Sequence, residues 1–169
     1  MAKHTEKINT DPYDAEKTGK IFNEYLTRQG LRKTPERKTI LDHICQIQGP
    51  FDIDTLYERM EENNFHVSKA SVYDTIELLM NACLIVRHQF SKQTVRYELR
   101  SVASGHFHVI CCYCGAIKEV KSDKIMRFMK DLKIAKFSQE YCSMYVYGMC
   151  SKCKYRLPEQ NKKTAKEQT

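Results

Sequence analysis

The stretch His106-Phe107-His108-Val109-Ile110-Cys111-Cys112-Tyr113-Cys114-Gly115 packs two kinds of metal ligand into ten residues. It begins as a strand, and residues two apart on a strand share a face, so the imidazoles of His106 and His108 converge. It ends in a Cys-x-x-Cys knuckle, Cys111 and Cys114, and the same spacing returns at Cys150 and Cys153. Two such knuckles supply the four sulfurs of a closed, tetrahedral Zn2+ site. Between them lie a returning strand (116–121), a helix with Ser122 as its cap and Ile125, Phe128, Met129 and Leu132 along it, and a last strand over 139–147. A domain of about 55 residues is marginal on its own core, so metal would staple this one together. The competing reading is a thioredoxin-type redox pair, which is disfavoured because two pairs occur and neither is expected to open a helix.

Glu98 precedes this stretch at the end of a strand, and Glu119 sits on the returning strand. Both can reach the two imidazoles. Two nitrogens plus carboxylate oxygens suit Fe2+, Zn2+ or Mn2+. Cys45, Cys83 and Cys142 read as small buried hydrophobes.

Upstream the apolar period is that of helices. Ile21, Phe22, Tyr25 and Leu26 form one stripe, ended by Gly30. Thr34-Pro35 opens a second helix with Ile40, Leu41, Ile44 and Ile47 inside. A third begins near Asp52 or Asp54, and a fourth is capped by Ser68, with Val72, Ile76, Leu79 and Met80 facing inward. The period then drops to two over 84–90 and 94–99, joined at Ser91-Lys92-Gln93. Short helices followed by a hairpin describe a winged helix-turn-helix, with the fourth helix as the major-groove reader. The fold class expected is therefore α+β. An arm (1–15) would precede a winged-helix domain (16–100) and a small α/β metal-binding dimerisation domain (101–153). Residues 100–105 would act as the hinge, and 154–169 would form a disordered basic tail.

The net charge of +7 suits nucleic acid, yet residues 1–100 balance at 15 basic and 15 acidic side chains, and the excess lies downstream. More telling is a local cluster of Arg28, Arg32, Lys33, Arg37 and Lys38, placed to meet phosphates. No apolar run is long enough to span a bilayer, and no secretory leader is visible. Eight cysteines in a reducing, cytoplasmic setting point to metal ligation over disulfides.

Taken together, residues 30–153 resemble the ferric uptake regulators. The resemblance rests on Gly30-Leu31-Arg32-Lys33-Thr34-Pro35-x-Arg37, on Ser71-Val72-Tyr73, on Tyr97-Glu98-Leu99, on the run from His106 to Gly115, and on Tyr147-Gly148-x-Cys150-x-x-Cys153. It implies a homodimeric repressor that binds inverted-repeat operators when a sensed metal is loaded. It also implies DNA contacts from Arg37 and Tyr73, a sensory set of Glu98, His106, His108 and Glu119, and a structural zinc. Iron is the first choice of sensed metal, zinc the second and peroxide-sensing iron the third.

Several positions depart from the family pattern. The sensory histidine usual before the third helix is Pro50, and the positions of a further metal site are Gly105, Phe107, Met126 and Cys142. The residue after the recognition tyrosine, often Arg, is Asp74. Ser68, Lys69, Ser71 and Thr75 can still reach a duplex. Candidate dimer contacts are Phe128, Met129, Tyr145 and Tyr147.

Two other classes fit the sequence less well. A zinc deaminase needs His-x-Glu before its cysteines, but His108 stands where that Glu would be. A zinc-stapled protein-interaction module without DNA binding lacks any use for the basic helix-turn-helix. Neither a membrane nor a small organic substrate is expected as a partner.

Overall fold

The computed structural model describes residues 12–90, 95–139 and 141–156. They fall into two compact units. The first holds the described residues up to His88 with Arg96–Val102, and the second holds Gln89, Phe90, Val95 and those from Ala103 onward.

The first unit is built from α1 (Pro12–Arg28), α2 (Pro35–Cys45), α3 (Ile53–Glu62) and α4 (Lys69–Asn81), followed by most of the paired strands β1 (Ile85–Gln89) and β2 (Val95–Leu99), whose hairpin ends Gln89 and Val95 fall in the second. Side-chain caps fix where the helices begin. Thr34 accepts from the Arg37 amide with Pro35 in the first turn, Asp52 accepts from the Thr55 amide at 2.8 Å, and Ser68 accepts from the Ser71 amide at 3.0 Å. Three helices stop in the same way, with one left-handed residue: Gly30 (φ 68°) after α1, Asn64 (φ 58°) after α3 and Cys83 (φ 54°) after α4. The amide of the next residue then reaches back five positions, as in Leu31 to Leu26, Phe65 to Met60 and Leu84 to Leu79. This is the Schellman stop, which satisfies carbonyls that the helix leaves orphaned. Leu26, Ile40, Ile44, Leu56, Met60, Val72, Ile76 and Leu79 close the core. Phe51 and Tyr97 exchange backbone hydrogen bonds at 2.8 and 2.7 Å, tying the entrance of α3 to the hairpin.

Four expectations need correction. Helix α1 starts at Pro12, inside the segment expected to be an arm. The hinge segment instead forms one helical turn, α5 (Arg100–Ala103). Cys83 is exposed and Cys142 half-buried, so neither is a core hydrophobe, while Cys45 packs half-buried against the core. Ser122 has extended backbone geometry but makes no side-chain cap bond. The turn at 91–93 and most of the expected arm and tail lie outside the described residues.

The second unit contains β3 (Phe107–Cys111), β4 (Ile117–Val120), α6 (Asp123–Asp131) and β5 (Tyr145–Gly148). The sheet order is β4-β3-β5. β3 and β4 form an antiparallel pair, whereas β5 returns parallel to β3 after the α6 crossover, as parallel neighbours require. β5 is shorter than the 139–147 strand expected and begins only at Tyr145, and the chain before it makes a tight turn at Ile134–Phe137 with Lys136 at φ 58°. The buried apolar set is small: Phe90, Ala103, Phe107, Ile110 and Cys111. Phe128, Leu132, Phe137, Val146 and Tyr147 are exposed.

Among the described residues no helix is long and apolar enough to cross a membrane.

Candidate metal centres and nucleic-acid interface

Strand register creates the sulfur cluster. In the parallel β3–β5 pair, Cys111 stands opposite Gly148, which sets Cys150, two residues on, beside Cys111. The Cys150 amide donates to Cys111 Sγ at 3.3 Å. Gly115, at φ 70°, lets the first knuckle turn back into β4, with its amide on the Cys111 carbonyl. Residues 151–156 then coil into helix, and the Lys154 amide bonds the Cys150 carbonyl. The second knuckle therefore does open a helix, contrary to expectation. A knuckle that opens a helix also suits a redox pair, but the sulfur geometry does not.

Cys111 Sγ lies 3.8 Å from Cys153 Sγ, and Cys114 Sγ lies 3.7 Å from Cys150 Sγ. All four sulfurs fall within 4.8 Å of one another. A disulfide would need about 2.05 Å. A tetrahedron with Zn–S bonds of about 2.3 Å has sulfur–sulfur edges of about 3.8 Å. The cluster has that size. Its charge argues the same way. Backbone amides, from Cys150 first and then Cys114 and Tyr113, bring the Cys111 thiol down to about 6. Hydrogen bonds with Cys150 and Cys114, with burial and Cys111 adding, push Cys153 up to about 12. One thiolate forms readily, but a full set needs a cation to neutralise it, and Zn2+ fits the donors present.

A second cluster lies across β3 and β4. Their pairing sets His108 opposite Glu119, and the ligand atoms of His106, His108 and Glu119 lie within 4.8 Å of one another. Both imidazoles are buried (4% and 2% exposed), while Glu119 is exposed. The two rings meet edge to face at 4.8 Å. Phe90 at 4.9 Å and Tyr145 at 5.9 Å pack on His108, holding its orientation. Of the expected sensory residues, these three are brought together within one unit.

Glu98 belongs to the first unit, fully buried, with its carboxylate 3.1 Å from His88 Nε2. His88 lies outside the expected set of site residues. The signal was available, since Val86 and His88 share the inward phase of β1 and an imidazole there must find a partner.

The helix expected to read DNA presents Lys69, Ala70, Tyr73, Asp74 and Glu77 to solvent. Ser68 and Ser71 are exposed or half-exposed at its start, their hydroxyls 2.9 Å apart. The Lys69 ammonium is 3.0 Å from Asp54 and sits over the Tyr57 ring. Thr75 must be withdrawn from the DNA-facing set: it is 1% exposed, and its hydroxyl donates to the Ser71 carbonyl at 2.7 Å. Arg32 and Lys33 are exposed, and the half-buried Arg37 donates to the Arg32 carbonyl. Lys38 is paired with Asp42 at 2.6 Å.

The family model "Ferric uptake regulator family" matches residues 28–147. The chain belongs to the ferric uptake regulator family. It is 25% identical over 135 residues to the ferric uptake regulation protein of Synechococcus elongatus, covering 78% of this chain and 92% of that protein. It is also 25% identical over 133 residues to the peroxide operon regulator of Bacillus subtilis, covering 77% and 89%. The structure of the ferric uptake regulator from Pseudomonas aeruginosa with manganese superimposes with a TM-score of 0.62 at 25% identity, covering 76% of this chain and 97% of that one. This ferric uptake regulator homologue is thus a metal-responsive transcriptional regulator of α+β architecture. Its sulfur cluster is the zinc-type site expected from the two knuckles.

Proposed function

We propose that this regulator represses its target genes as a homodimer when a divalent metal, Fe2+ first and Zn2+ second, fills a sensory site of His106, His108 and Glu119, with Glu98 as a further oxygen donor. The observation that carries the reading is the pair of buried imidazoles held against Glu119. Nitrogen and carboxylate donors together select this class of ion. The first unit would bind operator DNA and the second would bind metal and its own copy, with the protein acting in the cytoplasm and catalysing nothing.

Arg32, Lys33 and Arg37 would meet phosphates, giving salt-dependent affinity. Ser68, Lys69, Ser71 and Tyr73 would face the groove from the start of α4. Metal is then an effector coupled reciprocally to DNA, by about 5- to 150-fold in affinity. An anaerobic mobility-shift titration against promoter DNA tests this, run with chelator, Fe2+, Zn2+ and Mn2+. Retardation should need one of the ions, and His106→Ala/His108→Ala should abolish the response. DNA binding indifferent to every ion would refute the sensory site. No DNA binding under any condition would favour the interaction module instead.

A further inference from the structure

Within the first two turns of α4, most polar groups are already committed. The Ser68 and Ser71 hydroxyls serve the cap. Thr75 is turned inside onto the Ser71 carbonyl. Lys69 is drawn sideways to Asp54 on α3. On the exposed stripe Lys69, Ala70, Tyr73, Asp74 and Glu77, the Asp74 carboxylate has no hydrogen bond or ion pair among the described residues. It stands beside Tyr73, itself 54% exposed.

A carboxylate on a groove-facing helix cannot meet a phosphate without repulsion. It accepts hydrogen bonds and donates none, so in the major groove it needs an amino group. Two bases offer one. The adenine amino group adjoins N7, an acceptor that repels a carboxylate. The cytosine N4 amino group is the established match for Asp or Glu.

We propose that Asp74 is a specificity-determining residue that selects cytosine at one position in each operator half-site, by accepting a hydrogen bond from N4. The proposal rests on α4 being the recognition helix. Ala70, one turn before Asp74 on the same face, then offers apolar surface suited to a thymine methyl group. The base preference at that one position follows from the residue at 74, while overall affinity comes from the basic residues elsewhere.

The test is selection from a pool of randomised DNA duplexes by the full-length protein loaded with the ion that gives retardation in the mobility-shift titration, alongside Asp74→Asn and Asp74→Ala. Position 74 is exposed, and Asn preserves its shape, so both variants should fold and retain zinc. Wild type should enrich one symmetric cytosine, about tenfold over other bases at that position. Asp74→Asn should move that position to adenine, because a carboxamide pairs with N6 and N7. Asp74→Ala should flatten it and leave the rest of the motif unchanged. An identical motif in all three proteins would overturn the assignment while leaving operator binding intact. If wild type enriches no motif, the assignment and the recognition role of α4 fall together.

Discussion

Replacing Cys153 by Ser removes one corner of the sulfur cluster, and its expected cost can be set against the margin of the unit that holds it. A folded chain is stable by about 0.05–0.15 kcal/mol per residue, so a unit of about 50 residues has roughly 2–8 kcal/mol to lose. Structural zinc contributes about 10–16 kcal/mol in small domains, more than that whole margin. The second unit is also poor in buried apolar side chains, with Phe90, Phe107 and Ile110 the large ones. Cys153→Ser should therefore lose zinc and unfold the second unit while the first, with its larger core, stays folded. Hydrogen exchange read by mass spectrometry checks this. Protection in β3 and β5 should fall by several orders of magnitude, and protection in α2, α3 and α4 should hold. If β3 and β5 stay protected in a variant shown by metal analysis to be zinc-free, the reasoning that metal holds the unit together is refuted.

His106→Ala/His108→Ala should keep its zinc and both units but lose one exchangeable metal per chain, as measured by metal analysis after mild chelation. Asp52, the cap of α3, has its carboxyl held below the ordinary range, chiefly by the Thr55 amide. Its contribution is complete above the unfolded pKa of about 4 and is lost as pH falls through the lowered folded value. Urea titrations at pH 7 should show Asp52→Ala destabilised by about 1 kcal/mol. Asp52→Asn should be near wild type there and lack the acid-dependent loss. Cys83 bears a left-handed strain of about 1–2 kcal/mol, against which glycine costs about 0.4–1 kcal/mol through the unfolded chain. Cys83→Gly should thus stabilise the first unit modestly, and a thermal midpoint that falls would count against the strain argument.

Features written locally were legible in the sequence. Thr34-Pro35, Asp52 and Ser68 announce helix starts through their own side chains, and Gly30 announces a stop. The four cysteines were legible because spacing alone restricts what they can do. What escaped depends on partners distant in sequence. His88 acquires meaning from Glu98 across the hairpin. Thr75 is the exception: it shares the buried stripe of α4 with Val72, Ile76 and Leu79, and its hydroxyl can enter because it bonds the Ser71 carbonyl one turn back. Cys150 is set beside Cys111 by the β3–β5 register, a pairing between segments nearly forty residues apart. Cys83 ends α4 in a conformation that glycine would have advertised.

The exposed Phe128, Val146 and Tyr147, beside so few buried neighbours, carry a consequence for dosage. In a family that works as pairs, a second copy seated on this face would cover part of what a lone chain leaves wet. The melting point should then climb with protein concentration. A cell making few molecules would hold a less durable regulator than one making many, before any metal or operator enters the balance.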